Sequence, residues 1–227
     1  MLRNVKIYLT KINNCNKREI VLKIVNDFEE VYVTADLHLS NYVLNRSMKL
    51  RGFSDPIEHT IFIRNLINST IKNRSANLYI LGDLGMKRES EELAVFIKSL
   101  TPRVKVAIGN HDSKKQLVAL WNAGVIQDCK HEYVFKWRGN IFHFHHLPLL
   151  EQEYFFEDSY QCHGHTHGSI QPYLRSMDVG LDATDMKILN LEEVVEARKS
   201  FHNVNKNRER LFSGLKMFPE VNPELTN

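Results

Sequence analysis

Apolar and polar positions alternate along this chain in two rhythms. β-Branched runs at 5–9 and 20–25 flank a polar stretch, Asn13-Asn14-Cys15-Asn16-Lys17, and predict an N-terminal hairpin. A third run, 31–35, stops at Asp36. From Pro56 the spacing lengthens: Ile57, Ile61, Leu66, Ile67 and Ile71 give most of an apolar stripe and predict a helix over 56–73. Pro56 suits its first turn, where a missing N–H costs nothing. Strands at 78–81 and 104–108 then alternate with helices at 91–100 and 113–121, with Ser113 as a cap.

Strand and helix alternating in this way imply parallel strands joined by right-handed crossovers. The second half changes character. Short strands dominate it, at 133–137, 141–144, 160–163, 177–181 and 186–189, before a helix at 191–200. Two sheets packed together with helices outside accommodate both halves. We expect a single domain over 1–200 that includes the hairpin of residues 1–30. Residues 201–227 are polar and irregular and read as a tail.

Composition narrows the partners. At 227 residues and 43% hydrophobic, the chain can bury a sizeable core. Its net charge of +3 comes from 30 basic against 27 acidic residues, too balanced to argue for nucleic acid. Lys206, Arg208 and Arg210 in the tail favour a nucleic-acid substrate only mildly. Cys15, Cys129 and Cys162 are odd in number and far apart, so no disulfide framework follows. With no signal-peptide pattern and no long apolar span, we expect a cytoplasmic protein with no membrane association. No obligate protein partner is evident. Cys162, next to a histidine cluster, reads as a buried strand residue rather than a ligand.

The chemistry sits in five patches. They are Asp36-Leu37-His38, Gly82-Asp83, Gly109-Asn110-His111-Asp112, His145-His146-Leu147-Pro148, and His163-Gly164-His165-Thr166-His167. Each follows or ends an apolar run. Carboxylate, imidazole and amide oxygen are donors that borderline and hard divalent cations accept. Asp36 and His38 are two apart at a strand end, so an extended backbone would point both side chains one way. Parallel strands present their carboxyl ends on one sheet edge, which would bring Asp36, His38, Asp83 and Asn110 together. Any single patch could be an ordinary turn or salt bridge, but their joint occurrence is hard to produce by chance.

The order D-x-H, G-D, G-N-H-D, H, G-H-x-H resembles the calcineurin-like metallophosphoesterase superfamily over roughly residues 31–194. The resemblance implies an α/β fold of two mixed β-sheets packed together and flanked by helices, an α/β/β/α four-layer sandwich. It also implies a metal-dependent phosphoric ester hydrolase with two divalent ions, manganese foremost, with iron, zinc or nickel as alternatives. Carried over, Asp36, His38 and His167 would bind one ion with Asp83, which would bridge to a second held by Asn110, His146 and His165. His111 would face the scissile phosphate, oriented by Asp112, and Asn110 would also touch substrate. His146 is preferred over His145, which should face the other way in the strand, and His163 is read as support rather than a ligand. Arg51-Gly52-Phe53 and Asp178-Val179-Gly180-Leu181-Asp182 look like a small bacterial and phage subgroup, which makes Arg51 a candidate phosphate or lid contact.

The expected activity is hydrolysis of phosphomono- or phosphodiester bonds by metal-activated water, on a nucleotide, small molecule or nucleic acid. Leu84-Gly85-Met86 after Asp83 departs from the Asp-Arg-Gly continuation of the protein serine/threonine phosphatases, which disfavours that branch. Two alternatives stand beside the leading reading. One is a nuclease or nucleic-acid end-processing phosphodiesterase of the same fold, and the other is a non-catalytic metal-binding scaffold.

Overall fold

The computed structural model describes residues 4–9, 18–25, 27–40, 46–85, 90–148, 159–170 and 176–198, the first two strands as backbone only. In chain order the elements are β1 (Asn4–Leu9), β2 (Arg18–Ile24), β3 (Val31–Thr34), α1 (Arg46–Leu50), α2 (Pro56–Thr70), β4 (Asn77–Leu81) and α3 (Ser90–Lys98). There follow β5 (Arg103–Ala107), α4 (Lys114–Asn122), β6 (Asp128–Lys130), β7 (Glu132–Trp137), β8 (Asn140–His145), β9 (Ser159–His163), β10 (Ser176–Asp178) and β11 (Leu189–Asn190). They form a six-stranded sheet in the order β1-β2-β7-β8-β9-β10 and a five-stranded sheet in the order β11-β3-β4-β5-β6.

Both sheets are mixed. In the five-stranded sheet β3, β4, β5 and β6 run parallel, and β11 closes one edge antiparallel to β3. The six-stranded sheet combines antiparallel pairs, β1/β2 and β7/β8, with parallel pairs, β2/β7, β8/β9 and β9/β10. The α/β architecture of two mixed sheets with flanking helices is the one the sequence implied.

Side-chain alternation along β4 explains how the layers are glued. Leu78 and Ile80 pack with Ile63, Ile67 and Ile71 from and after α2, Leu93, Phe96 and Ile97 of α3, and Leu117 and Leu120 of α4. Tyr79, between them, points to the opposite face. There its ring stacks on Phe135 at 5.4 Å and meets Tyr133 and Phe144 edge-on at 5.1 and 5.2 Å. Such pairs add about 0.5–1.5 kcal/mol each beyond the area they bury. Tyr133 also donates its hydroxyl to the Val106 carbonyl at 3.1 Å, tying β7 of one sheet to β5 of the other.

Element ends depart from the pattern where local chemistry intervenes. α2 starts at Pro56 as expected, capped by Asp55, whose carboxylate accepts the Ile57 N–H at 2.7 Å, but it stops at Thr70 because Ile71 is already extended. The strand expected at 177–181 is confined to Ser176–Asp178, with Gly180 making a single bridge to Ala35. The strand expected at 186–189 is instead Leu189–Asn190, because Asp185 and Met186 adopt positive φ, 51° and 59°, in a turn. α1 and β6 carry too little periodicity to be read from sequence.

Contacts divide the chain into two units, 1–191 and 192–227. In the second, residues 192–198 are described and are helical. The Asn13–Lys17 turn, the tail expected from residue 201 with its Lys206, Arg208 and Arg210, and Cys15 lie outside the described residues. Among the described residues no helix is long and apolar enough to cross a membrane.

Candidate metal centre

The loops leaving β3, β4 and β5 emerge on one edge of the five-stranded sheet and carry Asp36 and His38, Asp83, and Asn110 to Asp112 respectively. These loops remain hydrogen-bonded to one another beyond the strands. Asp36 N–H donates to Gly82 O at 3.1 Å, His38 N–H to Asp83 O at 2.8 Å and Leu39 N–H to Leu84 O at 3.1 Å. From the six-stranded sheet, β8 delivers His146 and β9 delivers His165 and His167, joined by Gly164 N–H to His146 O at 3.0 Å.

The extended backbone expected at Asp36 and His38 is not what forms. Five candidate ligands sit in the left-handed region: Asp36 at φ 58°, His38 at 49°, Asp83 at 53°, His165 at 69° and His167 at 49°. Each such residue costs about 1–2 kcal/mol, and the surrounding main-chain bonds hold it there. Glycines make room alongside. Gly82 has φ +86°, and a Cβ on it would lie 2.6 Å from His146 Cγ and 2.7 Å from Gly109 Cα. A Cβ on Gly164 would lie 2.5 Å from Asp36 Oδ2.

Two groups of donors result. Asp36, His38 and His167 form one, and Asp36, Asp83 and His146 another, with the donor atoms of each group within 4.8 Å of one another. Asp83 faces both ways, with Oδ2 3.6 Å from His38 Nε2 and Oδ1 3.5 Å from His146 Nε2. Asn110 Oδ1 lies 2.7 Å from His146 Nε2 and 2.9 Å from His165 Nδ1. Asp36 also accepts the His165 main-chain N–H, at 3.0 Å to Oδ2.

The hydrogen-bond partners define where the lone pairs point. His146 donates Nδ1–H to Leu81 O at 2.8 Å, so its Nε2 lone pair faces the Asn110 oxygen, another acceptor. His167 donates Nδ1–H to Asp182 at 2.6 Å, so its Nε2 lone pair faces His38 Nε2 at 3.2 Å. Acceptors aimed at acceptors beside buried carboxylates form a donor set that fits divalent cations. Electrostatics agree. Burial, with the charges of Asp178 and Asp83, pushes Asp36 up to about 7 against the pull of His167. Burial lowers His38 to about 4 and lowers His146, leaving these imidazoles neutral and able to ligate.

His111 stands beside this cluster, its ring 5.8 Å from that of His38 in an edge-on arrangement. It is exposed and lines a cavity of about 390 Å³ with Gly85, Ser90, Ser113, Lys115, Gln116 and Ala119. Asp112 does not orient it. The Asp112 carboxylate accepts three main-chain N–H groups, from Asp83 and Gly109 on Oδ2 and from Leu84 on Oδ1, each at 2.9 Å. Burial pushes Asp112 up to about 6 in spite of these bonds.

Arg51 is likewise not on the surface. Its side chain is 3% exposed. All five guanidinium N–H groups are engaged: Nε and Nη2 with Asp182 at 2.7 and 2.8 Å, Nη2 with Asp36 O at 2.7 Å, and Nη1 with Leu37 O at 3.0 Å and His59 Nε2 at 3.3 Å. No donor is left for a substrate phosphate, which corrects the contact expected of it. Of the other histidines, His145 turns to Leu147, accepting its N–H at 3.1 Å, and His163 donates to Gly164 O at 2.8 Å. Cys162 is fully buried in β9.

Sequence reasoning missed Asp178 and Asp182 as parts of the site. Asp178 accepts the Thr166 hydroxyl and the Gly168 and Gly180 N–H groups, which holds the loop carrying His165 and His167. Burial pushes Asp182 up, but bonds from His167 and Arg51 outweigh it and hold the carboxyl well below its usual range. The only signal was their place in the Asp178–Asp182 run.

The double-sheet α/β fold thus gathers carboxylate, imidazole and amide donors that could hold metal ions at one strand-end edge. The sequence profile of the calcineurin-like phosphoesterases matches residues 30–205, and the chain belongs to that family. The family's chemistry is metal-dependent phosphoester hydrolysis. Among solved structures the chain is similar to AQ665, a protein of unknown function from Aquifex aeolicus, at 17% identity and a TM-score of 0.55, covering 74% of this chain and 99% of that one. That likeness supports the fold. A phosphoesterase from E. coli, YfcE, matches at 16% identity and a TM-score of 0.34, over 66% of this chain and 78% of that one. No curated protein sequence matches significantly.

Proposed function

We propose that this chain is a dinuclear-metal-dependent phosphoesterase acting on phosphomono- or phosphodiester bonds. The observation that carries the reading is Asp83, whose two oxygens address His38 on one side and His146 on the other at 3.6 and 3.5 Å. Under this reading Asp36, His38, His167 and one Asp83 oxygen hold one ion, and the other Asp83 oxygen, Asn110, His146 and His165 hold the second. Manganese fits this mixture of donors, as do iron, zinc and nickel. When bound, such ions would supply charge to the phosphoryl oxygens and lower the pKa of a bound water.

The chain's own residues do the rest. His111, exposed beside His38 and facing the cavity, is placed to donate a proton or hydrogen bond to the departing oxygen. Asp112 serves that step indirectly, by fixing the Asp83 and Gly109 turns through their amides. A solvent-accessible histidine that takes no part in the ligand cluster favours turnover over a pure scaffold.

Metal-stripped protein should be inert toward bis(p-nitrophenyl) phosphate and p-nitrophenyl phosphate and become active on adding manganese. Preference for the diester would direct attention to cyclic nucleotides and nucleic-acid ends. Failure with both substrates and every one of the four metals would reject the hydrolase reading in favour of a metal-binding scaffold.

A further inference from the structure

We propose that Arg51 and Asp182 are positioning residues that serve one of the two ion sites, that of Asp36, His38 and His167, and leave the other untouched. The inference rests on the dinuclear reading above. Asp182 Oδ2 takes the Nδ1 proton of His167 at 2.6 Å, which commits the Nε2 lone pair to the side facing His38. A carboxylate behind a ligating imidazole fixes its tautomer and raises its basicity.

Asp182 is in turn gripped by the planar fork of Arg51, bonded through Nε to Oδ1 at 2.7 Å and through Nη2 to Oδ2 at 2.8 Å. The same guanidinium reaches the carbonyls of Asp36 and Leu37, at 2.7 and 3.0 Å. One buried side chain thereby ties the loop that carries Asp36 and His38 to the carboxylate that aims His167. Among the described residues no guanidinium bonds to the groups that orient the side chains of the second site. There His146 is oriented by the Leu81 carbonyl and His165 contacts Asn110. Lysine could not reproduce the clamp, because an ammonium offers three donors and no fork.

Calorimetric titration of metal-stripped protein with manganese tests the asymmetry. Wild type should show two binding steps. In Asp182→Asn and in Arg51→Lys one step should weaken about 10–100-fold, while the other stays within about twofold. Saturating manganese should then restore most of the lost turnover with KM unchanged, which a general loss of structure would not permit. Two unchanged steps, or two steps weakened alike, overturn the proposal. Arg51→Lys keeps the charge and tests the same link if Asp182→Asn does not fold.

Imidazole ¹⁵N spectra of the metal-free protein in mildly alkaline buffer give a second readout. His167 should carry its proton on Nδ1 in wild type and lose that preference in Asp182→Asn; an unchanged tautomer overturns the role of Asp182. A wild-type chain that takes up fewer than two ions contradicts the dinuclear reading, and the nitrogen spectra still decide this one.

Discussion

Asp112 accepts the main-chain N–H of Asp83 at 2.9 Å and so fixes the turn that aims the central carboxylate. With Leu84 and Gly109 it forms a buried three-amide knot between the loops after β4 and β5. Asp112→Ala would orphan these donors, and unpaired buried N–H groups cost about 1–3 kcal/mol each. We expect a stability loss of about 3 kcal/mol or more in urea denaturation, together with loss of bound metal. A neutral outcome would show that the knot is dispensable.

Asp83→Asn should remove both ions at once, because Asp83 addresses His38 with one oxygen and His146 with the other. Metal content after desalting, read by mass spectrometry, should fall from about two per chain to none. Retention of one ion would deny Asp83 its bridging place.

His111→Gln should keep full metal content and lose about 10²–10⁴-fold in kcat. The loss should be steepest for substrates with poor leaving groups, where a proton donor matters most. Wild-type turnover in this variant would sink the role assigned to His111.

His146 and His145 are neighbours with opposite expectations. His146 is buried on Asp83 and Asn110, whereas His145 turns away to Leu147. His146→Ala should lose one ion and nearly all activity, and His145→Ala should retain both. The reverse pattern would exchange their assignments.

Metal-free protein should lose stability as pH rises through neutrality. Burial, reinforced by Asp178 and Asp83, holds folded Asp36 up at about 7 from an ordinary value of 3.8. Folding therefore takes up a proton. The associated stability is fully present below about 3.8 and disappears as pH rises through about 7. Between pH 5 and 8, wild type should lose about 2–3 kcal/mol relative to Asp36→Asn. Denaturation curves of the two proteins would read this difference, and equal slopes would contradict it. Manganese should remove the loss at pH 8, where it takes the place of the proton.

The order of donor types after successive apolar runs was legible from sequence, because parallel strands of similar length must deliver their trailing residues to one edge. That reasoning placed Asp36, Asp83 and Asn110 together without any coordinates, and the family's histidine-x-proline pattern with the strand register favoured His146 over His145. Most strand starts and the first turn of α2 were legible too, since β-branched runs and Pro56 act locally.

What the sequence carried by itself was therefore the order of candidate donors, whose roles came from a family resemblance, and the layered α/β frame, set by short-range pattern and hydrophobic burial. Only the tertiary structure decided what Arg51 and Asp112 do. Arg51 meets Asp182 across 131 positions, and Asp112 spends its oxygens on amides of another loop. Neither bond leaves a local signature, because a buried polar group takes whichever partner the fold brings within reach. The left-handed backbone at Asp36, His38, Asp83, His165 and His167 is decided in the same way. Local sterics disfavour it, and the surrounding hydrogen bonds and close-packed glycines hold it in place.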